Sequence, residues 1–370
     1  MSGINDILTR LESEHRLRVI PGSLAEGVTD LSSNDYLSLA TRQAEFMPEF
    51  LDRFSDAPFT SSASRLLSGR QKYHLMLEQY LSTLYGGDAL LFNSGYHANV
   101  GCIGALTLPS TLFLCDKLIH ASVIDGLRIV KSEVKRFPHN DMRGLERLLE
   151  QNSGKFDRIV VVVESIYSMD GDCAPLRKIV ELKRRFPGVM IYLDEAHAFG
   201  VRGERGLGLA EEEGLIKEID ILIGTFGKAA ASAGAFAITS GELKSLLINT
   251  ARPFIFSTAL PPVNVAWSLL MTEKIVEMKA ERSHLSRLAQ EFRRLLEETT
   301  GTGSPSESQI IPYLTGDAAR ALEIAARLRE GGYIALPIRR PTVPPGGERI
   351  RFSLAAGMSI GALLPLFDLL

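Results

Sequence analysis

The sequence predicts an α/β protein: a large domain with a mostly parallel sheet covered by helices, plus a smaller C-terminal α+β domain. Three observations carry this. Short apolar runs recur through the middle of the chain without polar alternation, as expected of strands buried on both faces. Between them lie segments with apolar residues at i, i+3 and i+4, the period of a helix with one buried face. At 370 residues the chain can bury a large core and still build a second domain.

Taken in order, the first 45 residues read as a helix and a crossing segment, an N-terminal arm. Strands are expected at residues 89–92, 111–115, 158–163, 189–193, 219–223 and 235–239, with helices at 142–150 and 176–185. Residues 46–261 form the large domain. Ala259-Leu260-Pro261-Pro262 breaks the pattern, because neither proline can donate a backbone hydrogen bond. A long helical region then reaches to about Thr299, a further helix covers 317–330, and 349–354 is strand-like. Residues 262–370 are the smaller domain.

Composition excludes several classes. Lys and Arg number 41 against 44 Asp and Glu, a net charge of −3 that offers no nucleic-acid or anionic-membrane surface. The three cysteines, Cys102, Cys115 and Cys173, form no CxxC pair. They read as buried small hydrophobes rather than a disulfide framework or a zinc site, and no metal is expected. The polar N-terminus lacks the apolar core of a secretory signal, and no apolar stretch is long enough to span a bilayer. A cytoplasmic enzyme is expected.

In sheets of this kind, functional residues collect in the loops at the carboxyl ends of the strands. Asn93-Ser94-Gly95, Asp116, Glu164-Ser165, Asp194-Glu195 and the run from Thr225 to Lys228 all fall there. Asp194 closes an apolar run, where a carboxylate is costly without a cation or a donor. It reads either as a cap for the next helix or as the partner of a protonated pyridinium nitrogen. His197, three residues on, either reaches the same ligand or is an ordinary satisfied polar residue. Lys228 follows an apolar strand and sits among small, uncharged neighbours. Desolvation lowers a lysine's pKa and makes it a nucleophile, against the alternative of a surface lysine on a loop. Ser94-Gly95-Tyr96 joins a strand to a helix, where free N–H groups can bind phosphate or simply form a joint. Thr225 could add a hydroxyl to the same phosphate. Neither GxGxxG nor GxxxxGK[ST] occurs. His120 either stacks on an aromatic ring or starts a helix. Arg349 and Arg351 flank Ile350 and so share a strand face, for carboxylate recognition or for solubility.

Glu164-Ser165-Ile166-Tyr167-Ser168-Met169-Asp170-Gly171-Asp172, Leu193-Asp194-Glu195-Ala196-His197 and Thr225-Phe226-Gly227-Lys228 together resemble the α-oxoamine synthases. These are fold-type I pyridoxal 5′-phosphate (PLP) enzymes that join an amino acid to an acyl thioester with loss of CO2. Ser33-Asn34-Asp35-Tyr36-Leu37, Ser64-Arg65-Leu66-Leu67-Ser68-Gly69, His74 with Leu77-Glu78, His120-Ala121-Ser122 and His139-Asn140-Asp141 follow in family order. Arg340-Pro341-Thr342-Val343-Pro344 and Arg349-Ile350-Arg351 extend the resemblance over residues 17–365.

The resemblance implies that Lys228 carries the cofactor as a Schiff base and later moves the α-proton. It implies that Asp194 pairs with the pyridine nitrogen, that His197 reaches the phenolic oxygen, and that His120 stacks on the ring beside Ser168. Gly95, Tyr96 and Thr225 would hold the phosphate. Asn34 and Arg351 would engage the amino-acid carboxylate, with Arg18 also binding substrate. Ser257 and Thr258 would reach the phosphate of a neighbouring subunit, which implies a homodimer. The motifs at 33–37 and 340–344 look most like the biotin-pathway branch, whose substrates are L-alanine and a pimeloyl group on CoA or acyl carrier protein. Other branches pair glycine with acetyl-CoA or succinyl-CoA, or serine with palmitoyl-CoA, and a lysine-less relative serves only as a scaffold. Two departures, Thr60-Ser61-Ser62-Ala63 where the family often has glycines and Ser38 in place of a glycine, bear on acyl-chain preference.

Overall fold

The computed structural model describes residues 2–20, 22–23, 27–67, 69 and 71–370, so Ser68 of the Ser-Arg-Leu-Leu-Ser-Gly motif lies outside the described residues. The chain divides into two compact units. The larger holds Leu37–Ser168 and Cys173–Arg282, and the smaller Met1–Tyr36, Met169–Asp172 and Ser283–Leu370.

The larger unit is built on a seven-stranded sheet of β1 (Asp88–Phe92), β2 (Thr111–Asp116), β3 (Glu133–Phe137), β4 (Arg158–Glu164), β5 (Val189–Asp194), β6 (Ile221–Thr225) and β7 (Ala235–Thr239). The spatial order is β1-β7-β6-β5-β4-β2-β3. Only β7 runs against its neighbours, pairing antiparallel with β1 and β6, while every other pair is parallel. The valine run of β4 shows why: Ile159 to Val163 are all buried, and β-branched side chains suit a pleated surface covered on both faces. The core includes Phe92, Cys102, Ile103, Phe113, Val160, Val162, Tyr192 and Ile223. Cys102 and Cys115 are buried and unbridged, and burial pushes the Cys115 thiol up to about 12, as befits inert packing groups.

Helix α1 (Lys72–Tyr85) precedes β1, α2 (Gly95–Ala105) follows it, and α3 (Ala121–Arg128) follows β2. Past the proline break, α4 (Pro262–Glu277) buries Val265, Leu269, Leu270, Met271 and Ile275 and packs on α1. Trp267 and Asn264 of α4 bond to the Ala231 carbonyl and the Ser232 hydroxyl, at 3.1 and 2.7 Å. Contacts therefore group 262–282 with the larger unit, whereas the proline break placed the division at 262.

The smaller unit carries a three-stranded antiparallel sheet of Leu336–Ile338, Arg349–Ser353 and Ile310–Leu314, with Arg349–Ser353 in the middle. Phe292, Phe352 and Phe367 pack at its core, with ring centroids 5.2 and 5.0 Å apart. The N-terminal segment belongs here because Thr29–Asp30 pairs in parallel with Tyr333–Ile334, and Ser353 N–H donates to the Leu31 carbonyl at 2.8 Å. Residues 169–172 belong here too. At Gly171, with φ of +71°, a Cβ would lie 2.0 Å from the Ile310 carbonyl oxygen, so only glycine permits the approach.

Within the larger unit, Arg65 makes a bidentate ion pair with Glu78 of α1 (2.8 and 3.1 Å), and Glu78 also accepts from Leu91 N–H at 3.1 Å. The pair ties the Arg65 loop and α1 to the end of β1. His74, on the same helix and 2 % exposed, is held neutral down to about pH 4 by burial and by the Arg65 charge. A histidine in the unfolded chain titrates near 6.5, so on acidification the unfolded state takes up the proton first. The stability that depends on a neutral His74 is complete above that pH and is lost as pH falls towards about 4. Thermal unfolding of His74→Leu should show a flatter decline than the parent over this window. Parallel curves would contradict the assignment.

Candidate active site

The carboxyl ends of β2, β4, β5 and β6 point the same way, and the site forms there. Glu164 and Asp194 are register partners on adjacent parallel strands, so their side chains lie on one face. Lys228 follows β6 by three residues, in a loop closed by Phe226 N–H to the Gly234 carbonyl (2.9 Å) and Ser232 N–H to the Phe226 carbonyl (2.9 Å). Helix α2 starts immediately after β1, where the Ser94 hydroxyl accepts from His97 N–H at 3.2 Å as an N-cap.

These elements enclose a cleft of about 180 Å³ lined by Gly95, Tyr96, Asn99, His120, Glu164, Asp194, Ala196, His197, Thr225 and Lys228. Lys228 Nζ lies 2.9 Å from His197 Nε2. Asp194 is buried, and its two oxygens accept from Asn99 Nδ2 (2.8 Å) and Ala196 N–H (2.9 Å). Glu164 is also buried, and Oε1 has no hydrogen-bond partner. Burial, reinforced by the charge of Asp194, holds the Glu164 carboxyl well above the usual carboxylate range. The charged form of Glu164 is thus disfavoured beside Asp194. The Thr225 hydroxyl donates to the Gly234 carbonyl at 3.0 Å and accepts from Gly227 N–H at 3.2 Å. A Cβ at Gly95 would stand 3.8 Å from that hydroxyl, so the glycine leaves open the space between the first turn of α2 and Thr225.

Of the expected site residues, Lys228, Asp194, His197, His120, Gly95, Tyr96 and Thr225 thus share one cleft. Tyr96 contributes its place in the first turn, since its hydroxyl donates outward to Asp125 at 2.8 Å. Ser168 sits in the turn that follows β4. Ser257 lines a different, small cavity with Arg65, His74 and Asn93, and the Thr258 carbonyl accepts from Asn93 Nδ2 at 2.7 Å. Asn34, Arg351 and Arg18 belong to the smaller unit. There Arg351 donates to Asn34 Oδ1 at 3.2 Å and to the Ser353 hydroxyl at 2.7 Å, and Arg18 donates to the Thr342 hydroxyl at 2.9 Å. Arg349 does not form a fork with Arg351, because its guanidinium engages Asp170 and the Met169 and Gly347 carbonyls. Asn99 was missed. Its signal was a lone amide among small and apolar residues on a helix now seen to be buried.

A primary amine, a buried carboxylate, two imidazoles and an open helix N-terminus meeting at the end of a mostly parallel sheet are the chemistry and architecture of a fold-type I PLP-dependent transferase. The aminotransferase class I and II model matches residues 26–367, and the chain belongs to that family. Within it the chain is an α-oxoamine synthase. It is 47% identical over 366 residues to a Pasteurella multocida (strain Pm70) protein named "Putative 8-amino-7-oxononanoate synthase", covering 95% of this chain and 94% of the relative. Among solved structures, a variant serine palmitoyltransferase from S. paucimobilis with a bound PLP–myriocin aldimine is 27% identical. Its TM-score is 0.88, with 99% of this chain and 95% of that one covered. The 8-amino-7-oxononanoate synthase of Francisella tularensis, 23% identical with a TM-score of 0.78 over 93% and 97% of the two chains, shares the fold. Among the described residues no helix is long and apolar enough to cross a membrane.

Proposed function

We propose that this enzyme condenses L-alanine with a pimeloyl thioester, on CoA or acyl carrier protein, to give 8-amino-7-oxononanoate for biotin synthesis. The chain is a PLP-dependent acyl-transferring enzyme. The observation that carries the substrate assignment is the 47% identity, over nearly the whole chain, to a relative named for that reaction.

The cleft fits the cofactor: Lys228 offers the amine, Asp194 a buried charge, and Gly95, Tyr96 and Thr225 the room and donors for a phosphate. PLP supplies an electron sink for charge that develops on the substrate's α-carbon. Lys228 would hold the cofactor through Nζ, and the same amine is placed to take the α-proton and later return one. His197, 2.9 Å from Nζ, orients that amine and would engage the cofactor's phenolic oxygen. Asp194 would keep the ring nitrogen protonated, and His120 and Ser168 would hold the ring. Asn34 and Arg351 take the amino-acid carboxylate, and Arg18 binds the acyl substrate. Over the whole reaction one C–C bond forms, from the alanine α-carbon to the thioester carbonyl carbon. The thiol leaves, and the alanine carboxylate departs as CO2. Ser257 and Thr258 serve the phosphate of a second copy, so the working form is a homodimer.

A second reading, serine with a palmitoyl thioester, is favoured by the 27% identity to the serine palmitoyltransferase over 99% of this chain. Thiol release measured across L-alanine, glycine and L-serine against pimeloyl, acetyl, succinyl and palmitoyl thioesters separates the two. The expected result is highest kcat/KM for L-alanine with pimeloyl. Highest kcat/KM for serine with palmitoyl would replace the first reading with the second.

A further inference from the structure

Helix α2 turns a single amide into the protein. Asn99 is 2 % exposed, and its hydrogen bonds have a definite direction. Asp194 as a carboxylate only accepts, so the Asn99 nitrogen faces it, with Nδ2 2.8 Å from Oδ2. The other hydrogen of Nδ2 goes to the Ser122 hydroxyl at 2.9 Å, and Oδ1 accepts from the buried Tyr192 hydroxyl at 2.7 Å. Ser122 Oγ lies 2.7 Å from His120 Nδ1 and has its own proton free to donate there. The Ser122 backbone N–H, which can only donate, also points at Nδ1, at 3.3 Å. Nδ1 therefore carries no hydrogen, and in the neutral ring the proton sits on Nε2.

We propose that Asn99 is a positioning residue that orients the Asp194 carboxylate and, through the Ser122 hydroxyl, holds His120 as a neutral imidazole protonated on Nε2. This rests on the reading of the cleft as the cofactor site. There the consequence is electrostatic. An imidazolium against the ring would oppose the positive charge that Asp194 stabilises on the ring nitrogen, whereas a neutral imidazole leaves that charge to Asp194 alone. One amide thus serves both groups that define the charge of the ring. The ionisable groups facing His120 are Asp194, Lys228 and Asp125, with Glu164 accepting its backbone N–H.

The test is nitrogen-detected NMR of the histidine-labelled holoenzyme across pH, with the His120 signals assigned by a His120→Gln variant. The expected result at neutral pH is an unprotonated Nδ1 and a protonated Nε2. In Asn99→Asp the new side chain shares a proton with Asp194 and accepts a hydrogen bond from the Ser122 hydroxyl, which then turns a lone pair to Nδ1. His120 should bind its proton roughly tenfold more tightly and populate the Nδ1–H form. Tyr192→Phe, which removes only the bond to Oδ1, should leave the tautomer unchanged. An Nδ1-protonated ring in the parent enzyme overturns the proposal without any variant, as does a folded Asn99→Asp protein with His120 unaltered. Cofactor attachment to Lys228 is followed separately by visible absorbance. Failure there would overturn the reading of the cleft, whereas a wrong tautomer with cofactor attached would overturn only the role of Asn99.

Discussion

Lys228→Ala is expected to lower kcat by at least on the order of 10⁴-fold and to abolish covalent retention of the cofactor. The size follows from two losses at one atom. On the proposed reading Nζ would both anchor the cofactor and move the α-proton, and it is held 2.9 Å from His197 Nε2. The small residues after it, Ala229 and Ala230, are fully buried, so the truncation leaves no neighbouring cation to substitute. The measurement is turnover together with borohydride reduction and mass analysis of the protein. A Lys228→Ala protein that still gains the mass of the reduced cofactor, and still turns over, would remove Lys228 from its role.

Asp194→Asn is expected to cost on the order of 10³-fold in kcat while leaving the lysine-linked cofactor visible in the absorbance spectrum. The substitution keeps the size of the side chain and removes the charge. It also places an amide against Asn99 Nδ2, which now meets either a neutral oxygen or a second NH2 group. The loss should fall on kcat more than on KM, because on the proposed reading the charge would act on the cofactor ring as the α-carbon gains electrons, rather than on substrate capture. Equal loss of cofactor affinity and of kcat would instead make Asp194 a simple binding group.

Much of this was legible in the chain itself, and for physical reasons. The strand at 235–239 and the helix at 176–185 have the bounds expected, since each is a segment of unmixed periodicity. β3 was not foreseen. Glu133-Val134-Lys135-Arg136-Phe137 is an edge strand with exposed charges, which blunt the edge against pairing with another chain but erase the apolar signal of a buried strand. The helical region after Pro262 is two helices, Pro262–Glu277 and Lys279–Thr300. At the site, Lys228, Asp194 and His197 stood out because charged groups at the ends of apolar runs need a reason. Asn99 gave no such contrast, since its partners are far along the chain, Asp194 and Tyr192 on β5 and Ser122 on α3. Only the folded chain brings them together.

The reversed strand β7 has a design consequence. It stands between β1 and β6, its own residues, Ala235 to Thr239, are buried, and the loop that carries Lys228 leads directly into it. The loop from Phe226 to Gly234 is laced shut at both ends and turns through Gly234 at a φ of +104°. Lys228 therefore rides on a segment whose length matters more than its composition. Exchange of the exposed Ala233 for another small residue should preserve the enzyme. A single added or deleted residue there changes the reach of the amine and silences it.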